Sequence, residues 1–363
     1  MGYNNRFGYN APKDFEEYRL LGENCGIEIV PAKEYAPEGT GISSTRIRTL
    51  LTQGNVEEAA RLLRRAVDGG MTYFDTARAY SDSEEKMGYA FAGMRDKVVI
   101  ATKTHAQTGA ELKEHLETSL KMLGTDYIDV YQFHNPAFVP RPGGEDGLYD
   151  AALEARAQGK IRHIGITNHR LPVAREAVES GLYATLQFPY SYLSGPQDRE
   201  LVDMCRARGM GFVAMKGMAG GLLANGTAAA VWMAQQEGVV PIWGVQHEWE
   251  LDQFLACVPD APAMTEEYRA LIEKDRSELT GDFCRSCGYC MPCPVGIQIN
   301  QCARMSLMLR RMPAAEYLTE YWQGEMKKIE NCLHCGKCAS KCPYGLDTPR
   351  LLQDNYKEYW THF

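Results

Sequence analysis

The sequence lacks three features that would each place it in a different class of protein. No apolar run among its 363 residues approaches the roughly 18 residues of a membrane-spanning helix. Met1–Phe15 does not have the basic and apolar regions of a secretory signal peptide. The net charge of −8 comes from residues of both signs, without the basic stripe that binds nucleic acid. We therefore expect a cytoplasmic protein with neither a membrane nor nucleic acid among its partners.

The chain is long enough for more than one domain. Its 363 residues exceed an average domain, and a barrel of about 250 residues with a small additional domain would account for them. Hydrophobic residues make up 45% of the chain, which excludes general disorder.

Eight of the 12 cysteines lie in two C-terminal runs, each closed by a Cys-Pro pair. The runs are Cys284-x2-Cys287-x2-Cys290-x2-Cys293-Pro294 and Cys332-x2-Cys335-x2-Cys338-x3-Cys342-Pro343. Three cysteines at two-residue intervals supply soft thiolates to one cubane, and the cysteine before proline usually binds the other cluster of a pair. The runs therefore predict two [4Fe-4S] clusters. The expected ligand sets are Cys284, Cys287, Cys290 and Cys342 for the first cluster and Cys332, Cys335, Cys338 and Cys293 for the second.

The cysteine spacing leaves one ligand less directly supported and one alternative open. The first run has two residues before its Cys-Pro where three are usual, so the spacing supports Cys293 less directly. The alternative is a structural zinc site, but such a site needs only paired C-x2-C elements. Oxygen-sensitive clusters and reduced thiols suit a cytoplasm that contains little oxygen. The cysteines outside the runs are expected to be buried and inert: Cys25, Cys205, Cys257 and Cys302.

In the middle of the chain, short apolar runs alternate with amphipathic helical stretches. The apolar runs are Met71–Phe74, Val98–Thr102, Ile128–Phe133, Ile161–Ile166, Ala184–Phe188, Gly211–Met215 and Val239–Val245. This alternation predicts a parallel sheet with helical crossovers. Seven strand–helix units are visible, one fewer than a closed eight-stranded barrel contains.

Polar residues stand where the apolar runs end. They are Asp75, Lys103, His134, Thr167, Asn168 and Gln187. In a closed parallel barrel all such ends converge on one mouth, where active sites are built. An open doubly wound sheet would spread them along an edge, and no G-x-G-x-x-G motif follows the early strands. We therefore predict an α/β fold, a (β/α)8 TIM-type barrel whose first strand is imperfect, followed by an α-helical ferredoxin-like domain.

At these positions the sequence resembles the aldo-keto reductases, over roughly Glu57 to Val258. The matching segments are YFDTARAY at Tyr73–Tyr80, ATKT at Ala101–Thr104, YIDVYQFHN at Tyr127–Asn135, GITN at Gly165–Asn168 and MKGMAGGLL at Met215–Leu223. Because two cysteine runs follow the barrel, the chain resembles more narrowly the ferredoxin-tailed branch of that family. The resemblance implies nicotinamide-dependent reduction of a small carbonyl compound, or the reverse reaction.

The resemblance also assigns roles to individual residues. It implies that Tyr80 is the general acid, that Lys103 and Asp75 tune it, and that His134 orients the carbonyl group. The residues assigned to the nicotinamide carboxamide are Thr167, Asn168 and Gln187. The residues assigned to the pyrophosphate lie in the Met215–Gly221 loop and include Lys216, Gly217, Gly220 and Gly221.

Elementary chemistry accounts for the four catalytic residue types. A tyrosine has a pKa of about 10 and is a poor proton donor at neutral pH. An ammonium group beside a phenol stabilises the phenolate, and a buried carboxylate holds that ammonium group in place. Each residue alone is also explained by packing, by helix capping or by a satisfied core histidine. The ordered set of four favours the catalytic interpretation.

Acidic residues follow the last apolar run. Reductases that take the 2′-phosphorylated coenzyme carry basic residues there, whereas this stretch reads GVQHEWE and contains Glu248 and Glu250. These acids predict a preference for NADH over NADPH. The alternative is that they open the next helix, where negative charge is favourable.

Residues 1–55 do not follow the barrel pattern. GYNNRFGYN at Gly2–Asn10 and GISSTRIRTLLTQGNVEEAARLL at Gly41–Leu63 resemble the adenylyltransferase half of bacterial flavokinase/FAD synthetases. That family's His-x-Gly-His element and kinase domain are missing, so Ser43–Thr45 are expected to be N-cap residues and not a nucleotide site. The chain therefore resembles a chimera in which Ile27–Val30 could supply the barrel's first strand.

These observations predict three segments and one principal function. Residues 1–55 are a non-functional FAD-synthetase-like fragment, 56–275 the reductase barrel and 276–363 the ferredoxin-like domain, with helical periodicity over Gln298–Arg310 and Ala314–Lys328. The expected function is that of a nicotinamide-dependent oxidoreductase for small carbonyl compounds, with a redox partner protein as a further partner to consider. The rival is an electron-transfer protein whose barrel has lost hydride chemistry, because nicotinamides move two electrons, clusters move one, and no flavin-binding motif connects them. Flavin adenylylation is a distant third.

Overall fold

The computed structural model describes residues 56–245, 248–258, 260–279, 283–311 and 314–363. The FAD-synthetase-like motifs before residue 56 and the predicted strand Ile27–Val30 lie outside the described residues. The described chain forms two compact units. The first contains the described residues up to His134, with those of Pro140–Ile164 and Val245–Pro259; the second contains Asn135–Val139, Gly165–Gly244 and Asp260–Phe363.

Seven parallel strands follow one another in chain order in the sheet. They are β1 (Tyr73–Asp75), β2 (Val99–Thr104), β3 (Ile128–His134), β4 (Ile161–Thr167), β5 (Thr185–Pro189), β6 (Gly211–Met215) and β7 (Val239–Pro241). In the first unit Asp75 aligns with Ala101, and in the second unit Gln187 aligns with Val213. The predicted fold class, a TIM-type barrel sheet with helical crossovers, is confirmed, with seven strands among the described residues.

Helices alternate with the strands. They are α1 (Val56–Asp68), α2 (Ser83–Phe91), α3 (Gly109–Leu123), α4 (Leu148–Ala157), α5 (Leu171–Ser180), α6 (Pro196–Ala207), α7 (Gly226–Ala234) and α8 (Glu248–Leu255). The Thr108 side chain accepts from the Glu111 amide where α3 begins, and Gly124 ends it in the left-handed conformation. Leu112 and Leu116 lie one turn apart on its buried face. Each contributes about 1.5–3 kcal/mol through burial, so packing and caps together fix this helix.

The last strand is shorter than the predicted Val239–Val245, because β7 ends at Pro241. A proline nitrogen carries no hydrogen and cannot donate to the sheet ladder. The Ile242 amide still donates to the Ala214 carbonyl at 2.9 Å, but the chain then leaves the strand. Trp243 packs against Gly217, where an added Cβ would lie 2.5 Å from the indole ring.

The C-terminal part is helical, but its helices are shorter than the periodicity predicts. They are α9 (Glu266–Glu278), α10 (Ile299–Cys302), α11 (Met305–Arg311), α12 (Glu320–Lys327), α13 (Lys337–Ser340) and α14 (Thr348–Tyr359). The predicted helix Gln298–Arg310 is interrupted because the side chain of Asn355 forms hydrogen bonds with backbone groups in its middle. Asn355 Nδ2 donates to the Ala303 carbonyl at 3.2 Å, and its Oδ1 accepts from the Ser306 amide at 2.8 Å.

The second predicted helix, Ala314–Lys328, is also divided. A single 3-10 turn covers Ala314–Glu316, and α12 begins only after Thr319, whose side chain accepts from the Trp322 amide. Tyr359 of α14 lies in the hydrophobic core of this region, and its hydroxyl donates to the Tyr317 carbonyl at 2.8 Å. Short helices held by side chains therefore replace long ones. None of the described helices combines the length and apolarity needed to cross a membrane.

Candidate active site and cluster-binding cysteines

A buried ion pair lies at the carboxyl ends of β1 and β2 in the first unit. Lys103 Nζ donates to Asp75 Oδ2 at 2.5 Å and to the Thr76 carbonyl oxygen at 2.6 Å. Lys103 is 1% exposed, and Gln132 Nε2 donates to the other carboxylate oxygen of Asp75 at 3.3 Å. Since removing either partner would leave a buried charge without compensation, these contacts hold the ammonium group at one position.

Tyr80 lies beside this ion pair, in the loop between β1 and α2. Lys103 Nζ is 5.0 Å from the centroid of the Tyr80 ring. The loop turns through a hydrogen bond from the Tyr80 amide to the Ala77 carbonyl and through Ser81, whose φ is 44°. Tyr80 is 39% exposed, and its hydroxyl makes no hydrogen bond within the part of the chain that the structure describes. The phenol is therefore placed where a substrate could reach it.

His134 completes the predicted group of four at the end of β3. Its ring meets that of Tyr80 nearly at right angles, with the centroids 5.8 Å apart. His105 was missed by sequence reasoning, and its ring stacks on His134 with a centroid separation of 3.9 Å. It follows Lys103 by two residues, so its place just beyond β2 was the available signal. All four predicted catalytic residues lie together in the first unit.

The residues predicted to hold the nicotinamide lie in the second unit, at the ends of β4 and β5. Thr167, Asn168 and Gln187 are all buried. The Asn168 amide donates to the Gln187 carbonyl at 3.0 Å, and its side-chain Nδ2 donates to the Pro136 carbonyl at 2.9 Å. Asn168 Oδ1 accepts from the His169 amide at 3.0 Å. Asn168 therefore lies at the end of a strand, as predicted, and its side chain also holds the loop that follows β4.

The glycine-rich loop after β6 is packed against side chains of its own unit. An added Cβ at Gly217 would lie 2.5 Å from Trp243, and one at Gly220 would lie 3.3 Å from Arg304 Nη1. Arg304 Nη2 also donates to the Gly220 carbonyl at 3.0 Å. Gly221, with a φ of 90°, has no atom within 4 Å of its Cβ position. Of these three predicted pyrophosphate residues, Gly221 is the one that faces open space.

The four cysteines predicted for the first cluster are brought close together. Burial raises the pKa of the Cys290 thiol to about 12, and the neighbouring Cys284 and Cys287 add to this shift. Burial likewise raises the pKa of Cys287, with a further contribution from Cys342, whereas the ammonium group of Lys216 lowers it. Lys216, predicted to bind pyrophosphate, therefore lies near this set of thiols.

The four cysteines predicted for the second cluster line one cavity. The cavity wall includes Cys293, Cys332, Cys335 and Cys338, so Cys293 lies with the other run despite its irregular spacing. Cys290 also lines this cavity, which places the two sets side by side. Among the described residues, no three His, Cys, Asp or Glu side chains are grouped closely enough to share a single metal ion. Thiols arranged around a cavity are a donor set that suits an iron–sulfur cluster.

The cysteines outside the runs differ in exposure. Cys205 and Cys302 are fully buried, and burial raises the pKa of each thiol to about 12. Cys257 is partly exposed. Cys25 lies outside the described residues. The two buried thiols are therefore protonated and chemically inert near neutral pH.

A second group missed by sequence reasoning connects the end of β4 with both cysteine runs. His169 Nδ1 and the Tyr344 hydroxyl are hydrogen-bonded at 2.7 Å, and the His169 ring meets that of Tyr289 at 5.1 Å. Burial lowers the pKa of His169 to about 3, with smaller contributions from Lys216 and Arg170, so the ring is neutral at physiological pH. His169 follows Asn168 directly, and Tyr344 lies two residues after Cys342.

The parallel sheet and the strand-end tetrad define a barrel oxidoreductase. Residues 39–231 match the profile of the aldo/keto reductase family, and the chain belongs to this family. Residues 283–347 match a 4Fe-4S dicluster domain. The family match begins inside the segment 1–55, which the sequence motifs assign to an FAD-synthetase-like fragment.

Curated relatives match about half of the chain. An uncharacterised oxidoreductase, YrpG of Bacillus subtilis, is 31% identical over 46% of this chain and 59% of its own length. Aldo-keto reductase YhdN of the same organism is 33% identical over 46% of this chain and 56% of its own. Methylglyoxal reductase DkgB of Salmonella typhi is 33% identical over 47% of this chain and 62% of its own. The chain thus spans less than two thirds of the length of these relatives.

Solved structures share the fold of the barrel. An aldo/keto reductase from Klebsiella pneumoniae, in complex with NADP and acetate, matches with a TM-score of 0.51 and 26% identity, over 60% of this chain and 85% of that chain. The holo form of aldo-keto reductase AKR11C1 from Bacillus halodurans matches with a TM-score of 0.53 and 23% identity, over 61% of this chain and 87% of that chain. The latter likeness concerns the fold alone.

Proposed function

We propose that the protein reduces small carbonyl compounds with a nicotinamide coenzyme, or catalyses the reverse reaction, and that Tyr80 is the proton donor. The observation that carries this proposal is the buried ammonium group of Lys103, bonded to Asp75 and lying 5.0 Å from the Tyr80 ring. A fixed positive charge beside a phenol stabilises the phenolate that remains when the proton leaves.

The chain's own residues account for the proton half of this reaction. Bound coenzyme supplies hydride to the carbonyl carbon. Tyr80 gives its proton to the carbonyl oxygen, and Lys103 stabilises the negative charge that develops on the phenol oxygen. His134, whose ring lies against that of Tyr80, donates a hydrogen bond that orients the same carbonyl oxygen. Stacking against His105 holds the His134 ring in this orientation.

The substrate we propose is a small carbonyl compound of the methylglyoxal type. The support is the 33% identity to a methylglyoxal reductase over 47% of this chain. The test is anaerobic turnover of methylglyoxal and related small aldehydes and ketones with NADH and NADPH, following coenzyme absorbance. Absence of turnover with every carbonyl compound, in protein that holds its iron, would count against the proposal.

For the coenzyme we propose NADH. The structure weakens one of the two sequence observations that favour it, the negative charge of Glu248. Glu248 forms ion pairs with Arg61 and Arg65 within the first unit, so its charge is compensated there. Its position at the start of α8 also fits the helix-opening alternative. Glu250, in the same first turn, is the second acid that supports the preference for NADH.

For the C-terminal segment we propose two [4Fe-4S] clusters within residues 276–363. The proposed ligands are the eight run cysteines in two sets: Cys284, Cys287, Cys290 and Cys342 for one cluster, and Cys332, Cys335, Cys338 and Cys293 for the other. The cavity that the second set lines supports this grouping. Clusters held in this way supply one-electron transfer. Total iron and acid-labile sulfide after anaerobic purification measure the number, which we expect to be about eight irons per chain.

One observation favours the second candidate, an electron-transfer protein without hydride chemistry. Side chains of the second unit fill the space beside Gly217 and Gly220, where the coenzyme pyrophosphate is predicted to bind. The side chain of Asn168, predicted to bind the nicotinamide, already donates a hydrogen bond to the Pro136 carbonyl. A titration separates the candidates: the anaerobic protein is mixed with NADH or NADPH while cluster absorbance and coenzyme absorbance are recorded. Coenzyme oxidation that requires a carbonyl compound supports the reductase, whereas cluster bleaching without carbonyl turnover supports the alternative.

For residues 1–55 we propose no adenylyltransferase activity, because the phosphate-binding half of that site is missing from the sequence. Incubation with FMN, ATP and magnesium tests this, and catalytic formation of FAD would refute it. We also propose that residues 56–275 form the barrel.

A further inference from the structure

The two sets of run cysteines differ in their exposure to solvent. Cys284 and Cys290 of the first set and Cys338 of the second are each 9% exposed, and the other two members of the first set are partly buried. In the second set Cys335 is exposed, and its neighbour Leu333 is 64% exposed, although both line the cavity that holds the four thiols. One side of this cavity therefore faces solvent and carries an apolar side chain that none of the described residues covers.

The rim of this cavity is basic. Lys337 lines it, and Lys341, the residue that caps the C-terminus of α13, follows four residues later. Both lysines are exposed, and neither forms an ion pair with any described residue. Between Cys332 and Arg350 the one acidic residue is Asp347, whose carboxylate is engaged in capping α14. The chain as a whole has a net charge of −8, so this surface carries the opposite sign.

Such a surface suits a transient protein partner better than a small molecule. An uncovered apolar residue surrounded by charge is the arrangement of small interfaces, in which the apolar centre binds and the charged rim steers the encounter. A basic rim attracts an acidic partner and repels a basic one. Since a cluster bound by the thiols beside the rim would exchange single electrons, the partner is expected to be a one-electron carrier.

We propose that Leu333, His334, Cys335, Lys337 and Lys341 form a docking surface for an acidic one-electron carrier protein of the ferredoxin class. This inference rests on the proposed function, because it requires that the tail holds clusters. In the exchange the reduced carrier loses one electron and the tail gains one, and no bond or proton changes place. The first set of cysteines, adjacent through Cys290, then receives electrons from the second set, whose Cys335 is the exposed member.

The test uses the full-length protein with its clusters and a purified acidic [4Fe-4S] ferredoxin as the probe. Binding is measured by surface plasmon resonance at about 20 mM and about 300 mM salt. The distance over which charges interact shortens steeply between these two salt concentrations. The variant Lys337→Glu/Lys341→Glu reverses the charge of the rim. The matched control is Lys97→Glu/Lys121→Glu, two exposed lysines of the first unit. Reduction of each protein by dithionite shows whether its clusters are intact.

We expect affinity for the ferredoxin to fall at least about tenfold in the rim variant and in high salt, and to be unchanged in the control. The rate of reduction by ferredoxin should fall with it, while the rate with dithionite stays the same. Equal affinity in rim variant and control, or binding of anionic lipid vesicles but not of ferredoxin, would overturn the inference. Failure of the proposed clusters is recognised separately, because such protein would contain no iron and dithionite would change nothing.

Discussion

The predicted catalytic tetrad and the run cysteines are held in opposite ways. Asp75 and Lys103 sit at the ends of paired strands and bond directly to each other, so the fold and the ion pair place them without any added group. The eight thiols lie on short helices and loops, five of them around one cavity, and the pKa values of several are raised. One region is preorganised by the sheet, and the other brings together groups that become ligands only when they lose their protons.

The two regions therefore differ in what they need in order to function: an intact sheet for the tetrad and bound metal for the cysteines. A buried ion pair resists change because breaking it leaves one charge unpaired. Thiols with raised pKa values are poor ligands as isolated groups, since the thiolate is the form that binds metal. We therefore expect metal binding and folding to be coupled in the cysteine region, whereas the tetrad depends on the sheet.

The largest effect is expected from removing one ligand of the first cysteine set. Cys290→Ser should reduce iron from about eight to about four atoms per chain, because each cubane contains four irons. Cys257→Ser, outside both runs, is the control and should keep the full iron content. Iron and sulfide analysis with electron paramagnetic resonance of the reduced protein would check this. Complete loss of iron would show that the two sets assemble together and not independently.

The next effect concerns the ion pair. Asp75→Asn leaves the Lys103 ammonium buried without its counter-ion, and should lower the free energy of unfolding by about 3–5 kcal/mol. The comparison is Glu154→Gln, which breaks the pair with Lys113 on the exposed surface and should cause no measurable change. Urea unfolding monitored by circular dichroism provides the measurement. Similar stability of the two variants would mean that solvent reaches Lys103.

The sequence predicted the tetrad because strand-end residues converge whenever the sheet is parallel, whatever the details of packing. It did not predict the division of Gln298–Arg310, because the cause is Asn355, which lies far along the chain and bonds to the backbone of residues 303 and 306. The partners of Gly217 and Gly220 were missed for the same reason. Periodicity and motifs report local geometry, whereas contacts between distant segments decide where helices break and which glycines are covered.

Loss of the proposed proton donor should have an effect of at least about a hundredfold. Tyr80→Phe keeps the ring that contacts His134 and removes only the hydroxyl, so carbonyl reduction should fall by this factor as expected for a lost general acid. Tyr89→Phe provides the control, since Tyr89 is an exposed tyrosine on α2 of the same unit. Turnover is measured at saturating coenzyme. Near-normal turnover of Tyr80→Phe on every active substrate would remove Tyr80 from the mechanism.

The smallest effect is expected for the choice of coenzyme. Glu250 lies in the first turn of α8, within the stretch where the resemblance implies basic residues in reductases that take the 2′-phosphorylated coenzyme. Since like charges repel, NADH should bind more tightly than NADPH, and Glu250→Lys should move the ratio of affinities toward NADPH by up to about tenfold. Glu154→Lys, distant in sequence and on α4, makes the same change of charge as a control. Fluorescence titration with both coenzymes gives the ratio. A clear NADPH preference in the unaltered protein, or an equal shift in both variants, would mean that general charge and not Glu250 governs the choice.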